Sequence, residues 1–99
     1  MTLEEFAEVI TQQQQARLVE QGLDCEANMV GAVAHVVPGG KKYTKIDLGR
    51  GQGKFMVEIA TGIIYGIKAY GQVHKGHMYG TLETVDEWFW GDYYPSRRA

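Results

Sequence analysis

His74 and His77 are the only close histidine pair in the chain, and Lys75 stands between them. A His-x-x-His spacing can chelate zinc, but a zinc site needs three or four ligands. Cys25, His35 and the carboxylates are the other donors available, and none of them lies near the pair in sequence. Metal ligation is therefore not the expectation. Loop imidazoles in solvent, or against a phosphate, fit the pattern better. No metal or other cofactor is expected.

Three Tyr-Gly pairs surround these histidines: Tyr65-Gly66, Tyr70-Gly71 and Tyr79-Gly80. A glycine beside a tyrosine can leave a ring face open to something flat. Lys68, Lys75, His74 and His77 are close by, a composition suited to stacking a base and holding a phosphate. The competing reading is structural: the tyrosines pack a sheet edge and the glycines make bulges. That reading is preferred for Tyr65 and left open for Tyr70 and Tyr79. Upstream, Gly49-Arg50-Gly51-Gln52-Gly53-Lys54 brings glycines together with two cations. Its backbone amides could converge on an anion. It matches neither a Walker loop nor a Rossmann fingerprint, since no Ser or Thr follows Lys54 and a strand follows where a helix should. A strand connection, or non-catalytic anion contact, is expected there. Cys25 has no local nucleophile context and is expected to be a buried or half-buried thiol.

The elements that would carry these residues follow from periodicity. Thr2 with Glu5 fits a capping box, and Leu3, Phe6, Ala7, Ile10 and Leu18 form a helical stripe, so 1–22 reads as a helix ended by Gly22. The glutamines Gln12 to Gln15 read as a polar turn at the core's edge, in preference to a specific amide contact. Met29 to Val37 is apolar; a strand is preferred to a short helix because of its valines and the Pro38-Gly39-Gly40 turn. His35 within it reads as a satisfied core or edge residue. Lys41 to Leu48 alternates, with Tyr43, Lys45 and Asp47 on a charged outer face. Lys54 to Ile59 and Ile63 to Ala69 are further strands about an Ala60-Thr61-Gly62 turn. Gly71 to Leu82 has no strong period and reads as a long loop or irregular edge strand. Thr84 with Glu87 suggests a second capping box and a short helix over 84–91. Trp88, Phe89 and Trp90 cannot all face one core. The tail, 95–99, reads as loose.

Composition narrows the rest. A chain of 99 residues makes one domain, 1–99, with 29–82 as its β-rich region. Thirteen glycines, six tyrosines, three phenylalanines and two tryptophans favour a turn-rich β region with a sticky face. The formal net charge of −2 excludes a global basic field and argues against a dedicated duplex-DNA binder. One cysteine allows no intrachain disulfide. No leader pattern and no stretch of about 20 apolar residues is visible, so a cytoplasmic protein with no membrane segment is expected.

The wording from Tyr43 to Trp90 resembles small proteins of unknown function from tailed bacteriophages. The matching residues are Tyr43, Lys45 and Asp47; Gly53 with Phe55-Met56-Val57; Thr61-Gly62, Ile64 and Gly66-Ile67-Lys68; Tyr70-Gly71; and Gly80-Thr81-Leu82. The resemblance covers about half the chain and omits the N-terminal helix. It implies a phage origin and a place in the host cytoplasm, and it carries over no catalytic residues.

These readings give an α+β fold: an N-terminal helix packed on a small antiparallel meander of three or four strands, with a short aromatic C-terminal helix. They give a non-enzymatic binding protein, since no nucleophile–base pair or complete metal set is visible. It would sequester a small phosphorylated, nucleotide-like ligand or block a host protein. The site expected is Arg50, Lys54, Lys68, Tyr70, His74, Lys75, His77 and Tyr79. A nucleic-acid-binding module adding Arg97 and Arg98, and a structural or virion-associated oligomer, are the alternatives. The aromatic run and tail make a homodimer or higher oligomer the expected state.

Overall fold

In the computed structural model, which describes Met1 to Arg98, one long helix covers one face of a five-stranded antiparallel sheet. The helix α1 spans Leu3–Glu20. Its capping box forms: the Glu5 amide donates to Thr2 Oγ1 at 3.1 Å, and the Thr2 amide donates to Glu5 Oε1 at 2.9 Å. These bonds hold the Glu5 carboxyl below the ordinary carboxylate range. At the other end Gly22 takes φ +72°, and the Leu23 amide closes onto the Leu18 carbonyl at 2.8 Å. The helix buries Phe6, Ala7 and Ile10.

The segment expected as one strand divides. Glu26–Gly31 is a short helix, α2, and only Ala34–Val37 forms the edge strand β1. Cys25, expected to be buried or half-buried, is exposed where it caps α2, because α2 buries none of its residues. His35 is exposed on β1.

The sheet continues in chain order through β2 (Tyr43–Leu48), β3 (Gln52–Glu58), β4 (Ile63–Ala69) and β5 (Gln72–Thr81). The segment 71–82, expected as a loop or irregular edge strand, is the long edge strand of the meander. Its weak period has a physical cause: the pairing with β4 slips three times. The helix-facing side carries Ile46, Phe55, Val57, Ile64 and Tyr79, which join Phe6, Ile10, Val85 and Trp90 in one core. Each such side chain contributes roughly 1.5–3 kcal/mol through burial.

The C-terminal segment corrects the expected helix over 84–91. Only Val85–Glu87 makes a single 3-10 turn, and Thr84 does not cap it. Thr84 Oγ1 instead accepts from the Thr81 amide at 2.9 Å. Trp88–Phe89 (β6) then pairs with Ser96–Arg97 (β7), so two residues of the tail expected to be loose form a short strand. The Arg97 guanidinium meets Glu87 at 2.8 Å and lies over Trp88. Trp90 is 1% exposed at the centre of the core.

The glutamine run is also more than a polar turn. Gln13 Oε1 accepts from the Trp90 amide at 2.7 Å, and Gln14 Nε2 donates to the Trp90 carbonyl at 2.8 Å. Gln15 Nε2 donates to the Met29 carbonyl at 3.0 Å. Successive glutamines thus satisfy backbone groups that no sheet neighbour reaches. No helix among the described residues is long and apolar enough to cross a membrane.

Candidate functional site

Two irregularities in the strands build a cleft. The first lies in β3. Ile46 pairs with Phe55 but Asp47 pairs with Gly53, so Lys54 is an extra residue. A bulge of this kind re-aims the side chain it carries. Lys54 Nζ ends 5.8 Å from the Phe55 ring centroid and 4.3 Å from that of Tyr93, and it donates to the Tyr93 carbonyl. Burial pushes its ammonium below the ordinary lysine range.

The second irregularity lies in β5. Tyr65 pairs with Met78 while Gly66 pairs with His74, so residues 75–77 loop out. This turns His77 back over His74. Their rings stack with centroids 4.0 Å apart and planes at 7°. Gly66 makes the arrangement possible: a Cβ there would stand 3.1 Å from the His77 Cβ and 3.5 Å from the Tyr79 ring. The Tyr94 ring meets His77 edge-on at 5.9 Å. Tyr79 is part of the floor, packed edge-on against Phe55 at 5.9 Å. Burial raises its phenol above the ordinary range, with the neighbouring Tyr94 adding to the effect.

The result is a cleft of about 380 Å³ whose lining includes Lys54, Lys68, His74, His77, Tyr79, Tyr93 and Tyr94. That volume lies within the range of small-ligand sites. No Asp or Glu lines it, although the whole chain carries a net charge of −2. Four of the four ionised or ionisable nitrogen-bearing side chains in the lining are therefore without a local carboxylate. His74 Nδ1 is buried with no hydrogen-bond partner.

Comparison with protein-family models, curated proteins and solved structures found no match.

Of the expected site residues, Lys54, Lys68, His74, His77 and Tyr79 come together in this cleft. Arg50 does not: it lies beside α2 with Glu26, Ala27, Val30, Gly31 and Gly49. Lys75 is exposed on the looped-out segment and does not line the cleft. Tyr70 lies on the other face of the sheet. Its ring covers Gly53, its hydroxyl donates to Asp47 Oδ2 at 3.0 Å, and Lys45 Nζ stands 4.8 Å above it. The hydrogen bond to Asp47 raises the Tyr70 phenol above its ordinary range. Asp47, expected on a solvated outer face, is 4% exposed for the same reason.

The glycines beside Tyr65, Tyr70 and Tyr79 each have a role within the fold. Gly66 admits His77, Gly80 admits Thr84 and Trp88, and Gly71 makes the β4–β5 turn at φ +77°. Arg97 and Arg98 are engaged with Glu87 and the Trp88 carbonyl, away from the cleft lining. Tyr93, Tyr94 and Pro95 were the residues missed. Their only sequence signal is a Tyr-Tyr-Pro run, which carries no periodicity. Among the described residues no three His, Cys, Asp or Glu side chains converge as metal ligands. Stacked imidazole planes also face one another instead of directing nitrogens to one point.

Proposed function

We propose that this is a non-enzymatic binding protein whose cleft takes a small phosphorylated ligand with an aromatic moiety, such as a nucleotide. The observation that supports this most is the lining: Lys54, Lys68, His74 and His77 with no carboxylate, in an otherwise acidic chain. Lys54 is half-desolvated between aromatic rings, so an anion entering the cleft restores a partner to a charge that burial penalises. The exposed Tyr93 and Tyr94, 71% and 61% exposed, give the ligand a flat surface to rest on. An accessory or counter-defence factor of a tailed phage, acting by sequestration in the host cytoplasm, fits this reading.

A protein partner is the second reading, and the same two tyrosines favour it, since exposed aromatic side chains anchor interfaces. A nucleic-acid module has less support because Arg97 and Arg98 are spent on β7. The aromatic run that suggested a homodimer is largely covered within the chain, so self-association rests on Tyr93 and Tyr94 as well.

A thermal-shift screen against mono-, di- and cyclic nucleotides, short single strands and zinc tests the proposal. A ligand at 100 times its Kd adds about 2.7 kcal/mol, or several degrees for a domain this size. Stabilisation by one nucleotide class is the expected result. No shift with any nucleotide overturns the nucleotide reading and directs the search to a pull-down from host lysate.

A further inference from the structure

The stacked histidines imply more about the ligand than that it is an anion. Their rings are 4.0 Å apart and nearly parallel, so two protonated imidazoles would repel strongly. Every charged group that faces them adds to that repulsion. Lys54 from β3 and Lys68 from β4 share the cleft lining with them, together with the phenols Tyr79 and Tyr94, while Lys75 lies exposed outside the lining on the segment between the two histidines. No carboxylate in the cleft offsets these charges. His74 Nδ1, buried without a partner, adds an unused donor or acceptor position at the same point. A bound anion of high charge would offset the repulsion between two protonated rings.

We infer that the His74–His77 pair takes up a proton when ligand binds and selects a dianionic phosphomonoester over a singly charged phosphodiester. This rests on the anion-binding reading above. Linkage sets the sign. A group whose pKa rises in the complex binds ligand more tightly as pH falls towards the imidazole range, between about 8 and 6. For a ligand of fixed charge such as sulfate, one linked proton strengthens binding by up to about tenfold per pH unit within that range. A phosphodiester, with a single charge, draws less on the pair and binds with a flatter pH dependence.

The test is an NMR titration of the three histidine ring signals from pH 5 to 8.5, alone and with adenosine monophosphate, its cyclic diester or inorganic sulfate. Sulfate keeps two charges throughout, which separates protein titration from ligand titration. His35, exposed on β1, is the internal reference. The expected result is a higher titration midpoint for His74 or His77 with the monophosphate and with sulfate, a smaller change with the cyclic diester, and none at His35. The variant H74N/H77N, checked for folding by circular dichroism, should bind sulfate with weakened affinity that no longer rises as pH falls. Binding of the monophosphate with unmoved midpoints overturns the proton linkage while leaving the binding site standing. So does an equal loss of affinity at pH 6 and pH 8 in the double variant, which marks a purely positional role. Absence of binding by all three ligands overturns the anion-binding reading itself.

Discussion

Lys54 and Tyr93 lock together across the mouth of the cleft: the ammonium lies 4.3 Å from the ring centroid and donates to the carbonyl of the same residue. The contact joins β3 to the loop before β7, and it exists only because the bulge at Lys54 turns that side chain onto the helix-covered side of the sheet. A cation held this way is desolvated without being neutralised. It is costly for the empty protein and useful to a bound anion.

Lys54→Met should therefore separate binding from folding. Loss of the hydrogen bond and ring contact, each worth about 1 kcal/mol, is offset by relief of desolvation, so stability should change by no more than about 1 kcal/mol. Affinity for a nucleotide should fall at least about tenfold, as removal of a charge-assisted contact implies. Denaturant unfolding and a binding titration on the same preparation check both halves.

Lys68 and Tyr70 should part company. Lys68→Ala should weaken nucleotide binding, because Lys68 lines the cleft. Tyr70→Phe should leave binding unchanged and cost about 1–3 kcal/mol of stability, because Asp47 would then be buried with neither oxygen paired. Loss of nucleotide binding in Tyr70→Phe, with the fold intact, would contradict the placement of the site.

The Gln13–Trp90–Gln14 clamp should matter for stability alone. Gln14→Leu strips the Trp90 carbonyl of its 2.8 Å donor and should cost about 1–3 kcal/mol in chemical denaturation. Gly91→Ala should act on the same junction from the segment after Trp90. A Cβ there would stand 2.8 Å from the Gln13 carbonyl oxygen, so the helix and that segment would have to separate.

Gly66→Val should damage the site with little effect on the helix. The space above Gly66 belongs to His77 and Tyr79. Filling it should unstack the imidazoles, which the histidine ring signals in an NMR spectrum would report as a change in chemical shift, together with weaker monophosphate binding. Unchanged histidine shifts would show that the pair does not depend on this gap.

Acid should loosen the start of α1 first. The Glu5 pKa is depressed by its bonds to Thr2, so the native state holds fewer protons there than the unfolded chain. The stability this confers is present above the ordinary carboxylate range and is lost as pH falls through it. Thr2→Ala takes away the hydroxyl but keeps the backbone amide that is the larger cause of the shift, so it should lessen that part of the acid dependence without abolishing it, as followed by helical circular dichroism between pH 6 and 3.

By itself the sequence determined the elements whose signal is local. Thr2 and Glu5 with the Leu3, Phe6, Ala7 and Ile10 stripe specified α1, and alternation specified β2 to β4, because capping and period depend only on near neighbours. It also determined that Lys68, His74, Lys75 and His77 stand among the three Tyr-Gly pairs, and five of the eight expected site residues do share the cleft. Tertiary structure alone decided the rest. A bulge is the misfit between two strands, so the turn of Lys54 inward and the folding of His77 over His74 are properties of a pairing and not of either strand. The same holds for Trp90, whose backbone finds its partners on glutamines 76 and 77 positions away. Tyr70 and Tyr79 look alike in sequence, each followed by glycine. Only the turn after β4 and the slips in its pairing with β5 put one under Lys45 on the open face and the other in the floor of the cleft.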